Sequence, residues 1–196
     1  SARAIAPRGA VSGSTGGIRV VSGSLARLRL STSSESFVPV AAAPWTADQS
    51  LDLYVLGQDL LGNWLGPVSA TWTSTDVTIA LPRTTIGSAS TIDLGRIGKA
   101  RIVVTSPGAL PDSSATQIVV PGSLSRIVIE TRADGSGIEI GSMTLSTDST
   151  AAFHVVGRDA DGNALGPRAA ALSLTGPIGS LSTPFGADVV LDARRP

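Results

Sequence analysis

The stretch VLGQDLLGNWLGP, residues 55–67, recurs one domain length later as VVGRDADGNALGP, residues 155–167. A second pair, GSLARLRL at residues 23–30 and GSLSRIVI at residues 122–129, marks where each copy begins. The period is far longer than a solenoid unit and is typical of an array of small domains. We therefore divide the chain into an arm, residues 1–22, a first copy, residues 23–121, and a second copy, residues 122–196.

The composition predicts an all-β fold. Aromatic residues make up 4% of the chain and charged residues 15%, whereas Gly, Ser, Thr, Val and Ala are abundant. This balance suits short strands and tight turns. The formal net charge is +0 and the basic residues are scattered, which argues against a nucleic-acid partner. Cysteine is absent, which excludes thiol catalysis and disulfides, and no apolar run is long enough to predict membrane insertion.

Alternating side chains indicate short strands in both copies. In LARLRL, residues 25–30, leucine and arginine alternate, and SLDLYVL, residues 50–56, alternates in the same way as its counterpart TAAFHVV, residues 150–156. Trp72 is predicted at the centre of the first core, with Leu172 at the matching position of the second copy. Strands of this length and spacing, separated by Gly and Pro, predict a two-sheet sandwich in each copy.

The order of these motifs resembles a known family. An inward strand is followed by G-x-D-x-x-G-N, then by a strand that carries Trp, and later by GKARIVV, residues 98–104. This order resembles the bacterial immunoglobulin-like (Big-like) domains of invasin- and intimin-type surface proteins, over nearly the whole chain. The resemblance implies two tandem immunoglobulin-like β-sandwich domains in an extracellular or cell-surface bacterial protein, where such modules serve as stalks, spacers and occasional ligand binders.

The two ends of the chain do not match. The second copy stops at ARRP, residues 193–196, where the first copy continues to a closing hairpin, so we expect the second sandwich to lack its final strands. The arm resembles that hairpin: ARAIAPRGAV and GIRVVSG in the arm correspond to ARIVVTSPGAL and TQIVVPG, residues 100–110 and 116–122. The arm is therefore a candidate to complete a neighbouring domain. Its apolar assembly residues are Ile5, Val11, Ile18, Val20 and Val21.

Three explanations of these ends stay open at the level of the sequence. The chain is a cut from a longer array whose adjacent immunoglobulin-like domains complete both ends. Alternatively, the arm of one molecule fills the open sandwich of the next copy of itself and builds a head-to-tail filament by strand complementation. Intramolecular closure is the third, although the intervening first copy makes it awkward.

One turn could hold a metal ion. In DADGN, Asp159, Asp161 and Asn163 have the oxygen-rich character of a calcium loop. The equivalent DLLGN, residues 59–63, has leucines instead, so we favour a turn in which Gly and Asn take a positive φ and Asp caps backbone N–H groups. His154 is the only histidine, which excludes a histidine-based triad within the chain. We predict no enzyme activity and no cofactor.

Two tryptophans are candidates for a ligand or interface site. Trp45 and Trp64 could stack on a glycan, although packing against a neighbouring domain is the interpretation we favour. The sequence predicts a non-catalytic structural repeat protein of the bacterial cell surface, either a stalk or a fibre subunit. The alternative is an accessory glycan-binding or spacer module of a secreted adhesin or polysaccharide-acting enzyme.

Overall fold

The computed structural model describes residues 3–5, 12–14 and 16–194 of the chain. Every regular element in these residues is a β-strand, which confirms the predicted all-β class. The described part holds no helix of the length and apolarity needed to cross a membrane. In the arm, β1 (Arg3–Ile5) and β2 (Ser12–Ser14) pair antiparallel, whereas residues 16–22 form no regular element.

The first copy forms two layers of strands around one core. Its strands are β3 (Arg27–Ser31), β4 (Pro44–Thr46), β5 (Ser50–Gln58), β6 (Trp64–Pro67), β7 (Ala70–Ser74), β8 (Ala80–Pro82), β9 (Ile86–Gly87), β10 (Ala89–Leu94), β11 (Gly98–Ala100), β12 (Ile102–Thr105), β13 (Asp112–Ser113) and β14 (Gln117–Val120). One layer has the order β3-β5-β10-β8, with β6 beside β5. The other contains β13-β12-β7-β9 and β11-β14-β4.

The closing strands of the first copy reach different partners. The segment GKARIVVT, residues 98–105, is interrupted at Arg101, so that β11 pairs with β14 while β12 pairs with β7 and β13. β14 also runs parallel to β4 on its other side. β14 therefore closes the sandwich between two strands that are far apart in sequence.

The second copy repeats one layer in full and the other in part. Its strands are β15 (Arg126–Glu130), β16 (Thr150–Arg158), β17 (Ala164–Pro167), β18 (Ala170–Ala171), β19 (Gly179–Leu181), β20 (Phe185–Gly186) and β21 (Asp188–Ala193). The order β15-β16-β21-β19, with β17 beside β16, reproduces β3-β5-β10-β8 with β6. The pair β18-β20 reproduces β7-β9, but no strand within residues 126–194 takes the places of β4 or β11–β14.

The two cores differ accordingly. Trp72 is 2% exposed at the centre of the first core, as predicted, and its Nε1 donates a hydrogen bond to the carbonyl of Gly87 (2.9 Å). Leu172 and Phe153, predicted to point into the second core, are only half-buried. The inward direction was therefore predictable, but burial needs a second layer, and here that layer is incomplete.

Candidate functional site: the joint between the copies and the open edge of the second copy

The repeated turn of the first copy is closed by one carboxylate. Asp59 accepts hydrogen bonds from the backbone N–H groups of Leu61 (3.0 Å), Asn63 (2.8 Å) and Gly23 (2.8 Å). It also accepts from the side-chain amide of Asn63 (2.8 Å), and this bond, followed by that from Gly23, lowers the pKa of Asp59 to about 2. Gly62 takes the positive φ of 85°. The expectation that the asparagine shares this conformation is wrong, because Asn63 keeps a negative φ.

The same turn in the second copy keeps the carboxylate cap. Asp159 accepts from the backbone N–H (2.7 Å) and the side-chain amide (2.9 Å) of Asn163, and from the N–H of Gly122 (2.9 Å). Burial pushes the pKa of Asp159 upward, but these hydrogen bonds outweigh it and the net pKa is lowered. Burial, followed by the charges of Asp159 and Asp48, raises the pKa of Asp161.

Two of the three residues named as calcium ligands, Asp159 and Asn163, have their oxygens engaged by protein donors. Both carboxylate oxygens of Asp159 accept hydrogen bonds, and the amide oxygen of Asn163 accepts from the N–H of Ile97 (3.1 Å). In the part of the chain that is described, no group of three or more His, Asp or Glu side chains is placed to hold a metal ion. The turn is therefore built as a hydrogen-bonded cap, and its outward contacts define its role.

This turn joins the two copies. The side-chain amide of Asn163 donates to the carbonyl of Gly95 (2.8 Å). One buried asparagine therefore both closes its own turn and forms a hydrogen bond to the preceding copy. The N–H of Ser123 donates to the carboxylate of Asp48 (2.5 Å). A Cβ at Gly122 would collide with that carboxylate, so any other residue here would require the Asp48 side chain to move away from the linker.

The closing strand is well buried in the first copy. Gln117 in β14 is buried, and its Oε1 accepts from the indole Nε1 of Trp45 in β4 (2.5 Å). The N–H of Ala47 donates to the carbonyl of Val120 (3.0 Å). Trp45, a predicted ligand or interface residue, is therefore half-buried and engaged in holding the closing strand.

The matching edge of the second copy is open. Residues 144–146, which correspond to β4, form no strand. Leu145 stands in the place of Trp45 and is half-buried, and Thr147 is exposed where Ala47 is buried. The N–H and C=O groups of such an edge are a template for another strand.

The arm leaves its apolar residues in solvent. Ile18 is 65% exposed, Val20 89% and Val21 68%. Ile5 lies in β1, where only the backbone is described, and Val11 lies outside the described residues. The predicted assembly residues that can be followed are thus packed on neither copy of their own chain.

The second tryptophan belongs to an aromatic pair. Trp64 is 46% exposed and stacks on Phe37, with ring centroids 5.8 Å apart and an interplanar angle of 25°. The guanidinium carbon of Arg29 lies 4.2 Å from the centroid of the Phe37 ring. Arg29 was not predicted at this site, and its contact is with Phe37, which reaches Trp64 from a loop distant in sequence.

An ion pair inside the second copy was also missed. Glu130 is fully buried and binds Arg158, whose Nε lies 2.8 Å from Oε1 and whose Nη2 contacts the same oxygen. Arg158 also donates to the carbonyls of Gly162 (2.7 Å) and Gly135 (2.9 Å). The signal was available, because alternation from the inward Val128 places Glu130 on the inner face. The first copy has Ser31 and Gln58 at these positions.

The solved structures that this chain resembles are domains of surface proteins. No protein-family profile and no curated protein sequence matches the chain. Among solved structures, domains 4–9 of the surface-layer protein SbsC share 18% identity over 86% of this chain and 27% of that one, with a TM-score of 0.38. The Escherichia coli adhesin FdeC shares 15% identity over 87% of this chain and 57% of that one, with a TM-score of 0.41. Domains 5–6 of SbsC share 19% identity over 88% of this chain and 84% of that one, with a TM-score of 0.36.

These likenesses are weak in both sequence and superposition. The chain spans roughly a quarter of the first of these structures and a little over half of the second. The structures that it resembles are bacterial surface-layer and adhesin domains. At such TM-scores the likeness assigns the chain no activity, ligand or partner.

Proposed function

We propose that this chain is a non-catalytic structural repeat protein of the bacterial cell surface. Its sandwiches stack end to end, and the arm of one molecule completes the open second copy of the next by strand complementation. The observation that carries the proposal is the coexistence of residues 144–146, which hold the position of β4 but form no strand, with an arm that has the sequence of a closing strand and exposed apolar side chains. The resemblance to invasin- and intimin-type domains supports the cell-surface location.

The joint supports a role in carrying load along the chain. Hydrogen bonds from Asn163 and Ser123 connect the second copy to the first, beside a linker whose glycine allows close approach. A force applied to one copy would pass through these hydrogen bonds as well as through the single linker. A flexible tether would need none of them.

Deleting residues 1–22 tests the proposal. The parent chain should form head-to-tail polymers as its concentration rises, seen by sedimentation velocity and as fibres by electron microscopy. The deleted chain should stay monomeric, and adding the arm as a synthetic peptide should restore protection of residues 144–146 against hydrogen exchange.

Two results would overturn strand exchange. Polymers that persist without the arm would show that another surface assembles the chain. A parent chain that stays monodisperse at every concentration would favour a segment of a longer array, in which adjacent domains supply the closing strand.

The exposed Trp64 favours a second candidate function. An aromatic face held by Phe37 is a platform on which a sugar ring could stack, as expected of a glycan-binding accessory module. A glycan array with the parent chain and Trp64→Ala tests this function. Binding that disappears in Trp64→Ala supports it, and a parent chain that binds no glycan rejects it.

A further inference from the structure

We infer that residues 16–22 of the arm pair in parallel with residues 144–146 of another copy of this chain, with Val20 opposite Leu145, and that the contact between Ile18 and Leu145 selects the second copy over the first. The inference rests on the proposed strand exchange and deepens it by naming the register and the residues that determine specificity. The occupant of the open edge is thus a second copy of the same chain.

The register is transferred from the closed copy. There β14 and β4 run parallel with Ile118 opposite Pro44, Val119 opposite Trp45 and Val120 opposite Thr46. The arm segment GIRVVSG aligns with TQIVVPG without a gap. This alignment puts Arg19, Val20 and Val21 at the positions of Ile118, Val119 and Val120.

The acceptor side of the alignment has an independent structural anchor. In the first copy the N–H of Gln49 donates to the carbonyl of Thr46 (3.1 Å), which closes the turn that follows β4. In the second copy the N–H of Ser149 donates to the carbonyl of Ser146 in the same way (3.3 Å). The backbone at Leu145 is thus the counterpart of the backbone at Trp45.

The side chains of the arm alternate as this register requires. Val119 is 2% exposed in the first copy, whereas Ile118 is 45% exposed. In the arm the inward position is occupied by Val20 and the outward position by Arg19, so that the apolar side chain would be buried and the charge would stay in water.

The strongest argument is a pair of residues that changes together. In the first copy, Gln117 is buried and its amide satisfies the indole N–H of Trp45. In the proposed pairing, Ile18 replaces Gln117 and Leu145 replaces Trp45, so a polar pair becomes an apolar pair.

Each strand therefore suits one copy only. Ile18 placed in the first copy would leave the N–H of Trp45 without its acceptor, and Gln117 placed in the second copy would bury an amide against Leu145. Both mismatches leave a buried polar group without a hydrogen-bond partner. The wrong pairing is therefore less stable than the right one, which makes the pairing specific.

Cysteine cross-linking tests the register, since the chain has no cysteine of its own. Arg19→Cys and Thr144→Cys proteins are unfolded together and refolded under mild oxidation. In the proposed register these two residues are directly opposite, about 4.8 Å apart at Cα, within the range of a disulfide. Arg19→Cys mixed with Ser142→Cys is the matched control, because its pair is displaced by one pleat to about 8 Å.

Exchange of the coupled pair tests the specificity. We expect Ile18→Gln alone and Leu145→Trp alone each to weaken association about tenfold, since each buries an unmatched polar group. The double variant, which recreates the Gln117–Trp45 pair, should recover to within about threefold of the parent, as measured by sedimentation equilibrium.

The outcomes separate this inference from the proposed function. The inference is supported if Arg19→Cys forms disulfides preferentially with Thr144→Cys and if association recovers in the double variant. Equal yields from both cysteine mixtures, or additive losses in the double variant, overturn the register and its selectivity even if arm-dependent polymers form. A parent chain without arm-dependent association overturns both the inference and the strand exchange on which it rests.

Discussion

The first and second copies share a sheet and a turn but not a core. β3-β5-β10-β8 and β15-β16-β21-β19 have the same order, and both contain a register shift at the equivalent glycine, between Gly57 and Gln58 and between Gly157 and Arg158. This layer is built from strand pairings that each copy carries within its own sequence. The opposite layer requires the closing strand, and its absence from residues 126–194 leaves Leu172 half-buried where Trp72 is sealed.

The two turns extend this comparison. Asn63 and Asn163 make the same bonds to Asp59 and Asp159, but in the described structure only Asn163 also bonds to the other copy. A motif that is repeated for folding is thus reused for assembly in one of its two positions. The turn of the second copy forms an interface because Gly95 of the first copy lies within hydrogen-bond distance of Asn163.

The largest difference between the copies should appear on truncating their central core residues. We expect Trp72→Ala to lower the free energy of unfolding of the first copy by about 3–5 kcal/mol, because it leaves a cavity in a closed core. Leu172→Ala should cost under about 1 kcal/mol, since Leu172 is only half-buried. Denaturant titrations followed by hydrogen exchange assign each loss to its copy, and equal losses would contradict the comparison.

The buried ion pair is the second way to test it. Glu130→Ala removes the buried partner of the Arg158 guanidinium, whose side chain is itself 17% exposed, and we expect a loss of about 3 kcal/mol in the second copy. At the same position of the first copy, Ser31→Ala removes neutral hydrogen bonds and should cost about 1 kcal/mol. Both are measured by urea unfolding. If the Ser31 variant were the less stable of the two, the ion pair would not be the main polar support of its sheet.

The joint offers a matched pair of asparagines. Asn63→Ala and Asn163→Ala each lose the bond to the capping aspartate, but only Asn163→Ala also loses its bonds to Gly95 and Ile97. We expect Asn163→Ala to cost about 1 kcal/mol more. It should also broaden the distribution of distances between labels on the two copies, measured by single-molecule energy transfer. Identical distributions for the two variants would show that the joint does not depend on Asn163.

The smallest effect is on the pH dependence of the first copy. The pKa of Asp59 is about 2 when folded, against 3.8 ordinarily, so its contribution to stability is complete above about pH 5 and is lost as the pH falls towards 2. Asp59→Asn should flatten this part of the melting temperature profile from pH 5 to 2. Asp159→Asn provides the matching profile for the second copy. A parent profile already flat over this range would contradict the role of the cap.

Much of this fold could be predicted from local patterns. Alternation placed β3, β5 and the counterpart of β5 in the second copy, and it placed Trp72 in the core, because a strand with one buried face must repeat every second residue. The aspartate caps of the repeated turns were also predictable, since Asp and Gly in that spacing serve a tight turn. What was missed at the sites came from contacts between distant segments: Phe37 beneath Trp64, and Trp45 as the partner of Gln117.

By itself, then, the sequence determined the repeat, the all-β class, the inward residues and the turns, because each of these depends on neighbours along the chain. The tertiary structure alone showed which copy is closed. It also showed that Asn163 forms a hydrogen bond to the first copy and that the apolar side chains of the arm are exposed. Those properties depend on which strand occupies the edge of each sheet. Identical local motifs do not determine the occupant, since pairing across a sheet joins segments of any separation.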